Sequence, residues 1–303
     1  MTDYLTLGPI LFHWPAETKR DFYARIADEA PVDTVYLGEV ICSKRAPFFD
    51  PYIEEAAERL ERGGKNVVFS SLAEVMLTRE RRTVEDLAEV SDREIEVNNG
   101  AALWYLTGRP HRIGQYFNVY NEETMRHLAN HGATHFCLPS ELPGDTVAKL
   151  AEAAASLGTP VEVQVFGRAA LALSARCYHA RAHGRHKDNC QFICESDPDG
   201  MPLNTLDGES FLAINGIQTL SHTYVNLLPE LAQMQAFGVH HFRLVPHTQD
   251  MVAVACIFRD ALEAKCSAEE AEKKLSALGI PAPFSNGFWY RRPGYLRIRE
   301  DAA

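Results

Sequence analysis

The chain lacks any apolar run long enough to cross a bilayer. Its longest uninterrupted stretch is MVAVACIF, Met251–Phe258, against the roughly 18–20 residues that a spanning helix needs. The opening MTDYLTLGPILFHWP lacks the basic flank of a secretory leader, and Gly8, Pro9 and His13 interrupt its apolar residues. A cytoplasmic protein without a transmembrane segment is expected. Positive charge is also in short supply: Lys+Arg number 30 against 41 Asp+Glu, a formal net charge of −11. Sequence-independent binding of nucleic acid needs a basic surface to neutralise phosphates, so no nucleic-acid partner is expected. No GxGxxG opens a helix, which removes the usual fingerprint of a dinucleotide fold. The seven cysteines are an odd number in a chain for which no leader is expected. A disulfide framework is disfavoured on both grounds, which leaves metal binding, catalysis or burial.

What is present is an alternation of strand and helix. Short Val-, Ile- and Phe-rich runs recur at Leu5–Ile10, Thr34–Glu39, Asn66–Ser71, Glu94–Asn99, Tyr116–Asn121, His135–Glu141, Val161–Gly167 and His241–Pro246. They are bounded by Gly, Asn, Ser or Pro, as strands buried on both faces are. Between them lie helical segments that stop at glycines, such as PYIEEAAERLERGG, with Ile53, Ala56, Ala57 and Leu60 on one stripe. Ser267 and Glu270 have capping-box spacing before the last helix. Eight such units predict a (β/α)8 TIM-like barrel in one domain, 1–303, with a doubly wound open sheet as the rival. After strand seven about 60 residues intervene, 168–228, where short loops are the rule. FLAINGIQTL, Phe211–Leu220, predicts one small extra strand there, and an aromatic and basic tail follows at 280–303.

The long insertion opens with CYHARAHGRHKDNCQFIC, Cys177–Cys194. Cys177, Cys190 and Cys194 stand in C-x12-C-x3-C spacing among polar residues, unlike core cysteines. His179 and His183, with Cys190 and Cys194, also fit a Cys2His2 zinc site. A fourth thiol, Cys42, follows strand two in GEVICSKR. Strands two and seven of a closed barrel are three steps apart through strands one and eight, and their ends open on one face. Cys42 and the insertion can therefore meet over the barrel mouth, and four thiolates are the usual ligands of a 4Fe-4S cluster. The nearby Arg176, Arg181, Arg185 and Lys187 would offset the charge of such a centre, bind an anionic substrate, or simply be solvated. Cys137 and Cys256 are expected in the core and Cys266 at the surface. Polar residues at strand ends, His13, Glu39, Asn98, Asn118, Glu141 and His247, are rim residues with catalytic potential, although no catalytic residue is assigned.

The segments VDTVYLGEVICSKR (Val32–Arg45), FCLPSELPG (Phe136–Gly144), VEVQVFGRAALALSARCYHARAHGRHKDNCQFIC (Val161–Cys194) and NGFWYRRPG (Asn286–Gly294) resemble the collagenase-like peptidase family U32. The branch they resemble serves oxygen-independent ubiquinone biosynthesis. The resemblance implies a 4Fe-4S cluster on Cys42, Cys177, Cys190 and Cys194. It also implies a heterodimer with a UbiU-like protein and anaerobic hydroxylation of the quinone ring, aided by a lipid-binding accessory protein. Related members hydroxylate RNA, which the acidic charge argues against here. No nucleophile–base arrangement is legible, so peptidase activity is not expected. The alternatives left are an electron-relay or structural subunit whose sister holds the substrate, and a zinc-binding barrel protein.

Overall fold

The computed structural model describes residues 2–89 and 93–299. Seven parallel strands run in chain order around a ring: β1 (Tyr4–Leu7), β2 (Thr34–Leu37), β3 (Asn66–Ser70), β4 (Glu94–Val97), β5 (His111–Ile113), β6 (Ala133–Cys137) and β7 (Val161–Leu173). Within the insertion come β8 (Met201–Asn204), β9 (Ser210–Asn215) and β10 (Gln218–Asn226), and after it β11 (His241–Leu244) and β12 (Phe284–Ser285). β11 pairs in parallel with β1 through Leu5 and Phe242 and with β7 through Val163 and Phe242, which closes the ring at eight strands. The helices are α1 (Ala16–Glu29), α2 (Ala46–Arg62), α3 (Thr78–Ala88), α4 (Gly100–Leu106), α5 (Glu122–Asn130), α6 (Gly144–Ser156), α7 (Tyr178–Ala182), α8 (Leu231–Ala236), α9 (Met251–Leu262) and α10 (Ala268–Ala277). This is a (β/α)8 barrel. Among the described residues no helix is long and apolar enough to cross a membrane.

The local causes are ordinary. β2 is TVYL, buried at all four positions, because helices cover its outside and side chains fill the barrel inside. Asn121 starts α5 by accepting the Thr124 N–H at 2.8 Å, and Ser267 and Glu270 form the expected capping box of α10. The barrel interior is ionic. Arg243 of β11 donates to Glu96 at 2.7 Å and to Glu162 at 2.6 Å, and Tyr36 donates to Glu162 at 3.0 Å. Arg243, Glu96 and Glu162 are all fully buried. At Glu162 burial opposes ionisation, and Arg243 and His135 outweigh it, holding its carboxyl well below the usual carboxylate range.

Three expectations need correction. The fifth strand is His111–Ile113, not Tyr116–Asn121. The aromatic run there forms a 3-10 turn at Gln115–Phe117, and Asn118 takes a left-handed backbone at φ 60° that ends it. The insertion holds a three-stranded antiparallel sheet, not one strand, because the Gly216–Ile217 turn folds FLAINGIQTL into a hairpin. Cys256 is exposed on the outer side of α9, whereas Cys137 is buried as expected and Cys266 is half-buried.

Candidate metal centre

The loop after β2 presents Cys42. Glu39 shapes it, accepting the backbone N–H groups of Ile41 at 2.9 Å and Cys42 at 3.0 Å. The loop closes with the Arg45 N–H on the Cys42 carbonyl at 2.8 Å, and α2 begins directly afterwards. On the other side β7 runs six residues past Gly167 and delivers the chain to Cys177, at the start of α7. The Ala180 N–H points at the Cys177 sulfur at 3.4 Å. Between Cys190 and Cys194 the chain turns sharply, with Gln191 at φ 48° and Phe192 at φ 51°. Such left-handed non-glycine pairs persist only where the surroundings impose them.

These segments meet. Cys42, Cys177, Cys190 and Cys194 line one small cavity of about 20 Å³ together with Phe192, Ile193 and Gly216. Several hydrogen bonds lock the two sides. Lys44 Nζ donates to the Lys187 carbonyl at 2.6 Å. Asn215 donates to the Cys194 carbonyl at 3.0 Å and to the Asp197 carbonyl at 2.8 Å. Gln218 donates to the Leu11 carbonyl at 2.6 Å. Burial pushes the thiols of Cys42, Cys177 and Cys194 up, and the charge of Arg45 opposes this at all three. A cation bound there would displace these protons, since thiolates are the ligands.

The donor set fits a group held by four sulfurs rather than by two sulfurs and two imidazoles. His179 is fully buried away from the cavity, with Nε2 3.0 Å from Asp197 Oδ2. His183 turns Nδ1 to the His179 carbonyl at 3.0 Å. Neither imidazole lines the cavity with the cysteines. The second observation is Arg45, which lines the cavity, is 1% exposed and has an Nε without a hydrogen-bond partner among the described residues. A buried guanidinium facing four sulfurs suits an anionic centre. The sequence points to Arg176, Arg181, Arg185 and Lys187 as the cations of this region. Arg176 and Arg181 are solvent-exposed, Arg185 donates to the Cys190 carbonyl at 3.1 Å, and only Lys187 lines the cavity. Arg45 closes the segment YLGEVICSKR, but nothing in a single sequence marks an arginine as buried.

The rest of the barrel mouth is open. A second cavity of about 380 Å³ lies over β3 to β6, lined by Glu74, Gln115, Tyr116, Asn118, Tyr120 and Glu141 among others. Tyr120 donates to Glu141. Burial and then Glu141 push the Tyr120 phenol up to about 12, so it stays a donor at neutral pH. Lys187 Nζ lies 4.0 Å from Glu74, at the border between the two cavities. Of the rim candidates, Asn118 and Glu141 thus face the open cavity, and Glu39 supports the cysteine loop. Asn98 is buried and held by Ser71 and Glu96. His13 is buried between the rings of Phe48 and Phe192. His247 accepts the Arg168 N–H at 3.1 Å on Nε2 and turns Nδ1 to Asp199 at 3.2 Å, which latches the insertion to the end of β11.

Comparison with solved structures finds an uncharacterized B. cereus protein at TM-score 0.41 and 11% identity, covering 90% of this chain and 65% of that one. The chain thus spans less than two thirds of that protein's length. Phospho-2-dehydro-3-deoxyheptonate aldolase (DAHP synthase) from Thermotoga maritima matches at TM-score 0.43 and 14% identity, covering 93% of this chain and 71% of that one. A truncated form of 3-deoxy-D-arabino-heptulosonate 7-phosphate synthase from Thermotoga maritima matches at TM-score 0.44 and 14% identity, covering 93% and 89%. Likenesses this distant assign no chemistry. The family comparison reaches further, because the model for peptidase family U32 matches residues 19–298, a span that includes all four cysteines of the cavity. The chain belongs to peptidase family U32.

Proposed function

We propose that this chain is a UbiV-like subunit carrying a 4Fe-4S cluster, and that it acts with a UbiU-like partner in O2-independent hydroxylation of ubiquinone precursors. The observation that carries the reading is the meeting of Cys42 with Cys177, Cys190 and Cys194 around one cavity that also holds a buried arginine. The cluster, when bound, supplies one-electron chemistry. The chain's own residues do the rest. The four cysteines hold the group, Glu39 fixes the loop of Cys42, and Phe192 and Ile193 shield the cavity from water. The open cavity beside it is the place for a small substrate, as the C-terminal mouth is in barrels of this kind. There the Tyr120 hydroxyl donates to Glu141, a pair that a bound ligand would enter by accepting from the phenol or donating to the carboxylate. A lipid-binding accessory protein would deliver the precursors.

The open cavity favours a catalytic subunit over a pure electron relay, since a relay needs no concave polar site of its own. The family's name does not bring proteolysis with it. The mouth histidines His13 and His247 are engaged by aromatic rings and by Asp199, not by a serine or cysteine. The test is an anaerobic assay of the purified pair on unhydroxylated quinone precursors, with Glu141→Gln alongside. Turnover that is lost in the variant while iron content stays unchanged supports a catalytic role. Unchanged precursors with a fully loaded wild-type pair would reject the hydroxylase reading.

A further inference from the structure

Arg45 differs from the other cations around the cysteines. It is fully buried, three residues beyond Cys42. Nη1 donates to the Leu11 carbonyl at 3.2 Å and Nη2 to Asn215 Oδ1 at 2.6 Å, both neutral acceptors. No carboxylate oxygen of a described residue comes within 4.0 Å of it, as it does for Arg243 inside the barrel. The nearby carboxylate, Glu39, is engaged by two backbone N–H groups and is shared with buried Lys19. Burial disfavours the charge of Arg45, and Cys194, Glu39 and Cys42 together more than restore it. The fold also keeps space for it: a Cβ on Gly216 would stand 2.3 Å from Nη2. A buried cation without an ion-pair partner is costly unless an anion is brought beside it.

We propose that Arg45 is a positioning residue that sets the reduction potential of the centre held by the four cysteines, its fixed charge favouring the reduced form. The proposal rests on the iron–sulfur reading above. One electron from an external donor takes a four-iron centre with four thiolates from a net charge of about −2 to about −3. A permanent cation beside it stabilises the more negative state more. A guanidinium does not deprotonate in proteins, so this contribution is constant with pH.

The test is a potentiometric titration with dithionite on the anaerobically loaded chain in complex with its partner, followed by the electron paramagnetic signal of the reduced centre. Arg45→Gln is expected to shift the reduction equilibrium toward the oxidised form at least tenfold, which is about 59 mV for one electron. Arg45→Lys keeps the charge and is expected to lie nearer the wild type. An iron-loaded Arg45→Gln protein with the wild-type potential overturns the proposal, as does an Arg45→Lys potential equal to that of Arg45→Gln. If Arg45→Gln holds no iron, Arg45→Lys decides: its potential is expected to fall as pH rises and the ammonium loses its proton, while that of the wild type stays constant, and an Arg45→Lys potential that follows the wild type at every pH overturns the proposal. Wild-type protein without iron and sulfide sinks the cluster reading itself, whereas loaded variants with unmoved potentials sink only the role of Arg45.

Discussion

Arg45 Nη2 donates to Asn215 Oδ1 at 2.6 Å, and this bond ties the loop after β2 to the hairpin of the insertion. Asn215 in turn holds the carbonyls of Cys194 and Asp197. The site is therefore built by two segments distant in sequence that share one buried amide. Asn215→Leu removes three hydrogen bonds and leaves Arg45 and two carbonyls short of partners. Each buried unsatisfied group costs about 1–3 kcal/mol. Urea unfolding of the metal-free protein is expected to show a loss in that range or above, and iron uptake is expected to fall in parallel.

The cysteines divide into two groups with different outcomes. Alanine at Cys42, Cys177, Cys190 or Cys194 is expected to strip most of the iron, and stability with it, because metal binding is coupled to folding. Cys137→Ala leaves a small cavity beside Arg243 and costs roughly 1–2 kcal/mol with iron retained. Cys256→Ala, on the surface, is expected within about 0.5 kcal/mol of wild type. Iron analysis and chemical unfolding of the six variants separate the groups. Iron loss from Cys137→Ala contradicts the assignment.

Inside the barrel, Arg243→Ala strands the carboxylates of Glu96 and Glu162. Removing one partner of a buried ion pair costs about 3–5 kcal/mol, so the variant is expected to melt well below the wild type. Adding Glu162→Gln to Arg243→Ala is expected to recover part of the loss. Additive costs in that double-mutant cycle would mean that the pair is not coupled.

Acid sensitivity has a local source. Burial, followed by Arg45 and Lys19, lowers the pKa of His13 to about 4, and burial, followed by His135, lowers that of His241 to about 4. Both folded values lie below the unfolded value of about 6.5. Between pH 6.5 and 4 the unfolded chain therefore binds protons that the folded chain does not, and stability falls as pH falls through that window. Above pH 6.5 neither histidine contributes a slope. At about 1.4 kcal/mol per pKa unit, each accounts for up to about 3 kcal/mol by pH 4. His13→Gln is expected to flatten the stability curve across that window, and an unchanged curve would contradict the assignment.

Much of the fold was legible because barrel strands buried on both faces read as plain apolar runs, and glycines mark the helix ends. The exception, β5, is only HRI, which includes a charged residue, beside a longer aromatic run that turns instead of extending. α3 begins at Thr78 behind Leu77, which has no capping side chain, and its sequence TRERRTVEDLA is largely polar. Its apolar stripe is confined to Val84, Leu87 and Ala88 at the C-terminal end, too short to read against the charged residues before it. The juxtaposition of Cys42 with the insertion followed from strand order alone, since β2, β1, β11 and β7 are neighbours in the ring. The burial of Arg45 and the cross-link through Asn215 were not legible, because they depend on which side chains the folded insertion brings opposite the loop after β2.

The central claim is that these four sulfurs grip an iron–sulfur cluster, and the direct measurement is iron and acid-labile sulfide per chain after purification without air. The account predicts about four of each, lost together on replacing any one of the four cysteines. A colourless protein holding one zinc per chain, or iron that survives Cys42→Ala, would contradict it.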